Sequence, residues 1–177
     1  SGQKVAVFAN IGTPQDLDKV LENDASGIGL FRSEFLYLGK DSFPTEEEQF
    51  SMYMEAAVLM KDKPLVIRTF DGGLDKPLKF MKVKEINLRG IQLSLSYVEI
   101  FKTQLRAIYR AAVYGNIKVS FPMITSINEV DRIKEILTEV KTILGLRRVQ
   151  TFTTRHHRIH WQRLGCLQQR AALGWLR

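Results

Sequence analysis

Three arginines close apolar, β-prone segments: Arg32 in GIGLFRSEFLYL, Arg68 in LVIRTFDGG and Arg89 in INLRGIQL. An arginine at the end of such a run is expected where a strand passes into a loop. In alternating strand–helix proteins that is the end at which ligands bind. Guanidinium is planar, permanently charged and forked, and it matches phosphate or carboxylate oxygens. Several converging on one mouth suit a small, highly charged anion. The structural alternative is that each arginine pairs with a carboxylate such as Glu34, Asp71 or Glu85, as ion-paired arginines commonly do.

The elements that must carry these arginines alternate along the chain. Val5–Ala9 is a short apolar run, and Thr13-Pro14 suits a helix N-cap and first helical position. Leu17, Val20 and Leu21 then share one helical face. Ile28–Phe31 is the second strand. Thr45 and Glu48 are spaced as a capping box, with Phe50, Met54 and Ala57 expected on the buried side of the helix they open. Leu65–Phe70 is the third strand, ending in the turn-prone Asp71-Gly72-Gly73.

Ser96 and Glu99 form the next expected capping box, before a helix carrying Ile100, Leu105, Ile108 and Ala112 and stopped by Gly115-Asn116. Ile117–Met123 is the fourth strand. Ser126 and Glu129 cap a last helix lined by Ile133, Ile136, Leu137 and Val140. Four rounds of strand then helix predict parallel α/β architecture, because parallel neighbours need a crossover between them. The uncharged run VAVFA fits a strand covered on both faces.

Charge divides the chain. The net charge is +7, yet residues 147–177 hold seven arginines with no lysine and no acidic residue, so residues 1–146 are neutral overall. All three histidines, both tryptophans and the single cysteine also follow Leu146, whereas all the lysines precede it. Such a change of composition predicts a boundary, with 1–146 as one domain and 147–177 as a basic tail, out of frame or disordered. The tail could instead be a genuine basic module whose arginines, Phe152, Trp161 and Trp175 contact nucleic acid or an anionic surface. A metal site from His156, His157, His160 and Cys166 is a further reading, without the clear ligand pairs of a zinc site.

The chain starts at Ser1, with strand-like residues by Val5, so it reads as a piece of something longer. No secretory signal is visible, and no apolar run approaches the ~20 residues of a membrane span. One cysteine makes no internal disulfide, which fits a cytoplasmic protein.

The order GIGLFRSEFLYL, FPTEEEQFSMY, VIRTFDGGLDK, IFKTQLRAIYRAA and GNIKVSFPMI, over about Val5 to Leu144, resembles enzyme I of the bacterial phosphotransferase system. That family transfers phosphoryl from phosphoenolpyruvate to a protein histidine. The resemblance implies a (β/α)₈ barrel holding phosphoenolpyruvate at the C-terminal ends of its strands, of which this chain supplies about the first four units. By position Arg32 and Arg68 match the family's phosphate-binding arginines, Arg89 a third arginine near the ligand, and Asn10 a polar residue close to the site.

The sequence departs from the family pattern after the third strand, where Asp71-Gly72-Gly73-Leu74-Asp75-Lys76 replaces a D-I-G-G-D-K pattern. The approach to Arg89 is reduced to Asn87-Leu88-Arg89 and the segment before it is shorter, so Arg89 is the weakest of the three assignments. The resemblance also implies Mg2+, the small histidine phosphocarrier protein and a homodimer partner; no membrane or nucleic-acid partner is expected. The family's metal ligands, catalytic cysteine and acceptor histidine have no counterpart here. No residue of this chain is therefore assigned as catalytic, and the chain is expected to be catalytically incomplete.

Overall fold

The computed structural model describes Gly2, residues 5–72 and residues 88–145. The basic tail with its histidines and cysteine, and Glu85, lie outside the described residues. Four parallel strands pair in chain order, β1 (Phe8–Ile11), β2 (Gly27–Arg32), β3 (Leu65–Arg68) and β4 (Ile117–Ser120). The helices between and after them are α1 (Leu17–Glu22), α2 (Glu46–Met60), α3 (Gly90–Ser96), α4 (Val98–Ala111) and α5 (Ile127–Ile143). The parallel α/β class expected from the alternation is therefore present, since each parallel pair needs its crossover.

One face of the sheet carries the core. Ile11, Ile28, Phe31, Leu65, Ile67 and Ile117 pack with Leu17, Tyr53, Ala57, Met60, Ala107 and Ile108 of α1, α2 and α4. A second cluster, with Ile91, Phe101, Leu105, Ile133, Ile136 and Val140, fastens α3 and α5 to α4. On the other face Leu30, Arg32, Val66, Arg68, Lys118 and Ser120 are half-buried, and Asn10 is exposed. Successive strand residues alternate faces, so these positions share one surface.

Two capping boxes form as their spacing predicts. The Thr45 hydroxyl accepts from the Glu48 N–H (3.2 Å) and the Glu48 carboxylate accepts from the Thr45 N–H (2.6 Å). Ser126 and Glu129 repeat the exchange at 3.3 and 3.0 Å. Each box satisfies two backbone donors that the first helical turn leaves without partners. Thr13 caps a short 3-10 turn, Pro14–Asp16, ahead of α1.

Other expectations are corrected. β1 starts at Phe8, opposite Gly27, rather than at Val5, and Val5 and Val7 are exposed, so the VAVFA run is not covered on both faces. The β3 and β4 ladders stop at Arg68 and Ser120, short of Phe70 and Met123. Leu21 is exposed and Leu17 and Val20 alone are buried on α1. The buried face of α2 runs through Gln49, Tyr53, Ala56, Ala57 and Met60, leaving Phe50 and Met54 at its margin.

Ser96 does not cap α4. It ends α3, its hydroxyl donates to the Gln92 carbonyl (3.1 Å), and Tyr97 stands at the α4 N-cap without a side-chain cap. α4 ends at Ala111, ahead of the expected stop at Gly115-Asn116. Gly115 serves another purpose: a Cβ there would lie 2.8 Å from the Ala57 carbonyl oxygen of α2, so glycine permits the close approach.

Candidate functional site

Register brings the two leading arginines together. Arg32 and Arg68 are the last residues of β2 and β3 and are direct partners across the ladder; Arg68 is in turn the partner of Ser120, the last residue of β4. Partners in a parallel ladder project to the same side, so Arg32, Arg68 and Ser120 form one rung at the C-terminal edge. Lys118 lies on the same face two residues before Ser120 and is the partner of Val66.

The 3-10 turn Ser33–Leu36 that follows β2 builds the surroundings of both arginines. Glu34, 1% exposed, accepts from Nη2 of Arg68 at 2.6 Å, and Asp71 accepts from Nη1 at 2.9 Å. Arg68 is thus held across the gap between two loops. The Arg32 guanidinium instead lies over the Phe35 ring, 4.6 Å from its centroid. Among the described residues Arg32 makes no ion pair, and its buried Nε has no hydrogen-bond partner. The structural alternative therefore describes Arg68 and leaves Arg32 unaccounted for.

The loop after β1 fits against this turn. A Cβ on Gly12 would meet the Phe35 ring at 2.7 Å, so the ring that supports Arg32 needs glycine opposite it. Asp16 closes the loop, accepting from the N–H groups of Gly12 (3.0 Å) and Thr13 (3.1 Å), and those backbone bonds hold its carboxyl below the usual range. Asn10 is on β1 opposite Leu30, exposed and two ladder positions before the arginine pair.

Arg89 reaches the edge by a different route from the one expected. It does not close a strand but is the N-cap residue of α3. The Gly90 N–H donates to the Gly72 carbonyl (3.4 Å) in the loop after β3, and the Ile91 N–H to the Pro122 carbonyl (3.0 Å) in the loop after β4. The backbone of Arg89 is thereby fixed at the same C-terminal edge, with its residue exposed.

Beneath the rung lies a buried polar chain that sequence reading missed. Nε2 of Gln104 donates to the Ser33 hydroxyl (3.0 Å) and to the Tyr53 hydroxyl (3.1 Å), while its Oε1 accepts from the Phe70 N–H (2.9 Å). The Tyr53 and Tyr37 hydroxyls both donate to Oε1 of Gln49, at 3.4 and 3.3 Å. Burial pushes both phenols above their usual range, so they stay protonated. The signal was available: Gln104 falls between Phe101 and Leu105 on the apolar stripe of α4, where a polar side chain needs partners.

No three His, Cys, Asp or Glu side chains come together as a cation site among the described residues. The nearest carboxylates, Glu34 and Asp71, are bonded to Arg68. No described helix is long and apolar enough to cross a membrane.

A parallel α/β sheet with two arginines in one rung at its C-terminal edge has the architecture in which ligands bind at the strand ends. Comparison with known proteins makes this specific. Residues 1–156 match the family model of the PEP-utilising enzyme, PEP-binding domain, and the chain belongs to that family. It is similar to the phosphoenolpyruvate-protein phosphotransferase of Priestia megaterium, 48% identical over 82% of this chain and 26% of the relative. The protein of that name from Bacillus subtilis (strain 168) is 49% identical over 79% of this chain and 25% of its own length. The Listeria monocytogenes relative is 46% identical over 81% and 26%. The chain thus spans about a quarter of the length of the curated relatives it matches.

Proposed function

We propose that this chain forms the first four βα units of a (β/α)₈ barrel that binds phosphoenolpyruvate for phosphoryl transfer to a protein histidine. The observation that carries the reading is the rung of Arg32 and Arg68, in which Arg32 has no ion-pair partner among the described residues. Two adjacent guanidinium groups supply donors and positive charge for the three oxygens of a phosphoryl group. Phosphoryl transfer depends on positioning and charge stabilisation more than on covalent help from the protein. The relatives named phosphoenolpyruvate-protein phosphotransferase support that anion over others.

Arg68, fixed by Glu34 and Asp71, sets the direction of one fork, and Arg32 closes on the opposite oxygens. Arg89, from the N-cap of α3, and Asn10, from β1, border the same mouth. The acceptor histidine, the metal ligands and the phosphocarrier and homodimer contacts are assigned to other parts of the longer protein. On this reading the chain binds the donor without completing transfer.

Calorimetric titration of the full chain with phosphoenolpyruvate, inorganic phosphate and pyruvate tests the reading. Expected are saturable binding of phosphoenolpyruvate, competition by phosphate, and no binding of pyruvate at equal concentration. Pyruvate binding as well as phosphoenolpyruvate, or no binding of either phosphate compound, overturns it.

A further inference from the structure

We propose that Gln104 is a positioning residue that sets the spacing of the two arginines. This inference rests on the phosphoenolpyruvate reading for its purpose, but not for its geometry. Gln104 is 1% exposed and its hydrogen bonds go to Ser33, Tyr53 and Phe70 rather than to either arginine. Its amide reaches the residue after Arg32 (Ser33, 3.0 Å) and the second residue after Arg68 (Phe70 N–H, 2.9 Å). A single planar group on α4 therefore ties together the exits of both strands.

The position of the clamp matters because the ladder has ended there. The last bond between β3 and β4 on this side runs from the Thr69 N–H to the Ser120 carbonyl (2.9 Å). The next residue, Phe70, turns its N–H away from the sheet and into the Gln104 carbonyl. On β2 the chain enters the 3-10 turn at Ser33. Beyond the rung, the spacing of the two strand exits depends on what bridges them. Glu34 also bridges, to Arg68, but it sits on the turn that Gln104 holds. The amide orientation is forced: Phe70 offers only a donor, so Oε1 faces it and both Nε2 hydrogens serve Ser33 and Tyr53.

Two like charges held side by side bind an anion well only if the gap between them is fixed before the ligand arrives. Gln104 has no titratable proton and no contact with the ligand face, so it acts through Arg32 and Arg68.

The test compares Gln104→Leu with Tyr53→Phe in the full chain. Tyr53→Phe gives up a hydrogen bond to the same amide but leaves both strand exits tied. Gln104→Leu is expected to weaken phosphoenolpyruvate binding about tenfold, and Tyr53→Phe by no more than about twofold, each titrated well below its own melting temperature. Ser33→Ala, which frees only the Arg32 side, should fall between them and keeps the inference testable if Gln104→Leu does not fold.

A second measurement needs no ligand. The Nε–H signals of Arg32 and Arg68 in NMR relaxation should lose order in Gln104→Leu or Ser33→Ala and keep it in Tyr53→Phe. Affinity falling equally in Gln104→Leu and Tyr53→Phe, or arginine order unchanged in Gln104→Leu and Ser33→Ala, overturns the inference. If the unaltered chain binds no phosphoenolpyruvate, the functional reading fails while the relaxation result still decides the clamp.

Discussion

Replacing Arg32 and Arg68 one at a time by methionine should separate ligand binding from stability. Arg68→Met removes the Nη2 partner of Glu34, a carboxylate 1% exposed, and also the partner of Asp71. Breaking a buried pair from one side costs about 3–5 kcal/mol. The lower end, about 3 kcal/mol, applies because Arg68 itself is 22% exposed. For a chain of this size that is a fall in Tm of roughly 6–12 °C.

Arg32→Met gives up a contact with the Phe35 ring worth about 0.5–1 kcal/mol. It also removes repulsion from Arg68. At the spacing of adjacent strands, roughly 5 Å, and an effective dielectric constant near ~20, that repulsion has a ceiling of about 3 kcal/mol. Glu34 and Asp71 neutralise most of it. Arg32→Met should therefore melt within roughly 4 °C of the unaltered chain. With phosphoenolpyruvate at 100 times its Kd the unaltered chain gains about 2.7 kcal/mol. Each variant should lose one set of charge-assisted bonds, about 1.5–3 kcal/mol, or roughly 10–100-fold in Kd. The assay is thermal melting with and without the ligand. Equal destabilisation by both substitutions, or full protection of Arg32→Met by phosphoenolpyruvate, would refute the division of roles.

Two further outcomes are expected. The Glu48 carboxyl is held at about 2, first by Lys40, then by the Thr45 N–H and hydroxyl, against an ordinary value of 4.5. Because the folded value lies below the unfolded one, this contribution is complete above pH 4.5 and is lost as pH falls towards about 2. Lys40 and Glu48 are 36% and 48% exposed, so solvent screening limits the effect to about 1 kcal/mol. Glu48→Gln should flatten that part of the acid unfolding curve, and an unchanged curve would count against the capping assignment. Gly90→Ala should destabilise by about 1–2 kcal/mol in urea unfolding, since Gly90 has φ +52° and a Cβ would lie 2.9 Å from the Pro122 carbonyl oxygen. A gain in stability would mean that the left-handed turn is not needed.

That Arg32 and Arg68 stand at one edge of a parallel sheet was legible because each follows an apolar run and parallel order follows from the intervening helices, whereas their direct pairing in register was not. The capping boxes at Thr45 and Ser126 were legible from their spacing. α3 was not: Ile91, Leu93 and Leu95 alternate with Gln92, Ser94 and Ser96, the period of a strand, yet the segment is helical. Its first turn is fixed by bonds to Gly72 and Pro122, which are remote in sequence, so tertiary contacts override the local pattern. The Gln104 clamp also joins residues 71 and 34 positions apart, beyond any reading of spacing along one element.

Arg89 shows how the two kinds of information combine. The shortened approach Asn87-Leu88-Arg89 made it the weakest of the three arginines, on the premise that its loop had to deliver the side chain. In the structure Arg89 is the N-cap residue of α3, so its backbone is placed by the start of that helix. Gly90 bonds to the loop after β3 and Ile91 to the loop after β4, so the N-cap residue is placed by the two strands that flank it. Its side chain is exposed. Arg68 is fixed by carboxylates, Arg32 is supported by a ring, and Arg89 is fixed only at its backbone. That gradient suits a site in which one arginine orients the anion and the others close on it.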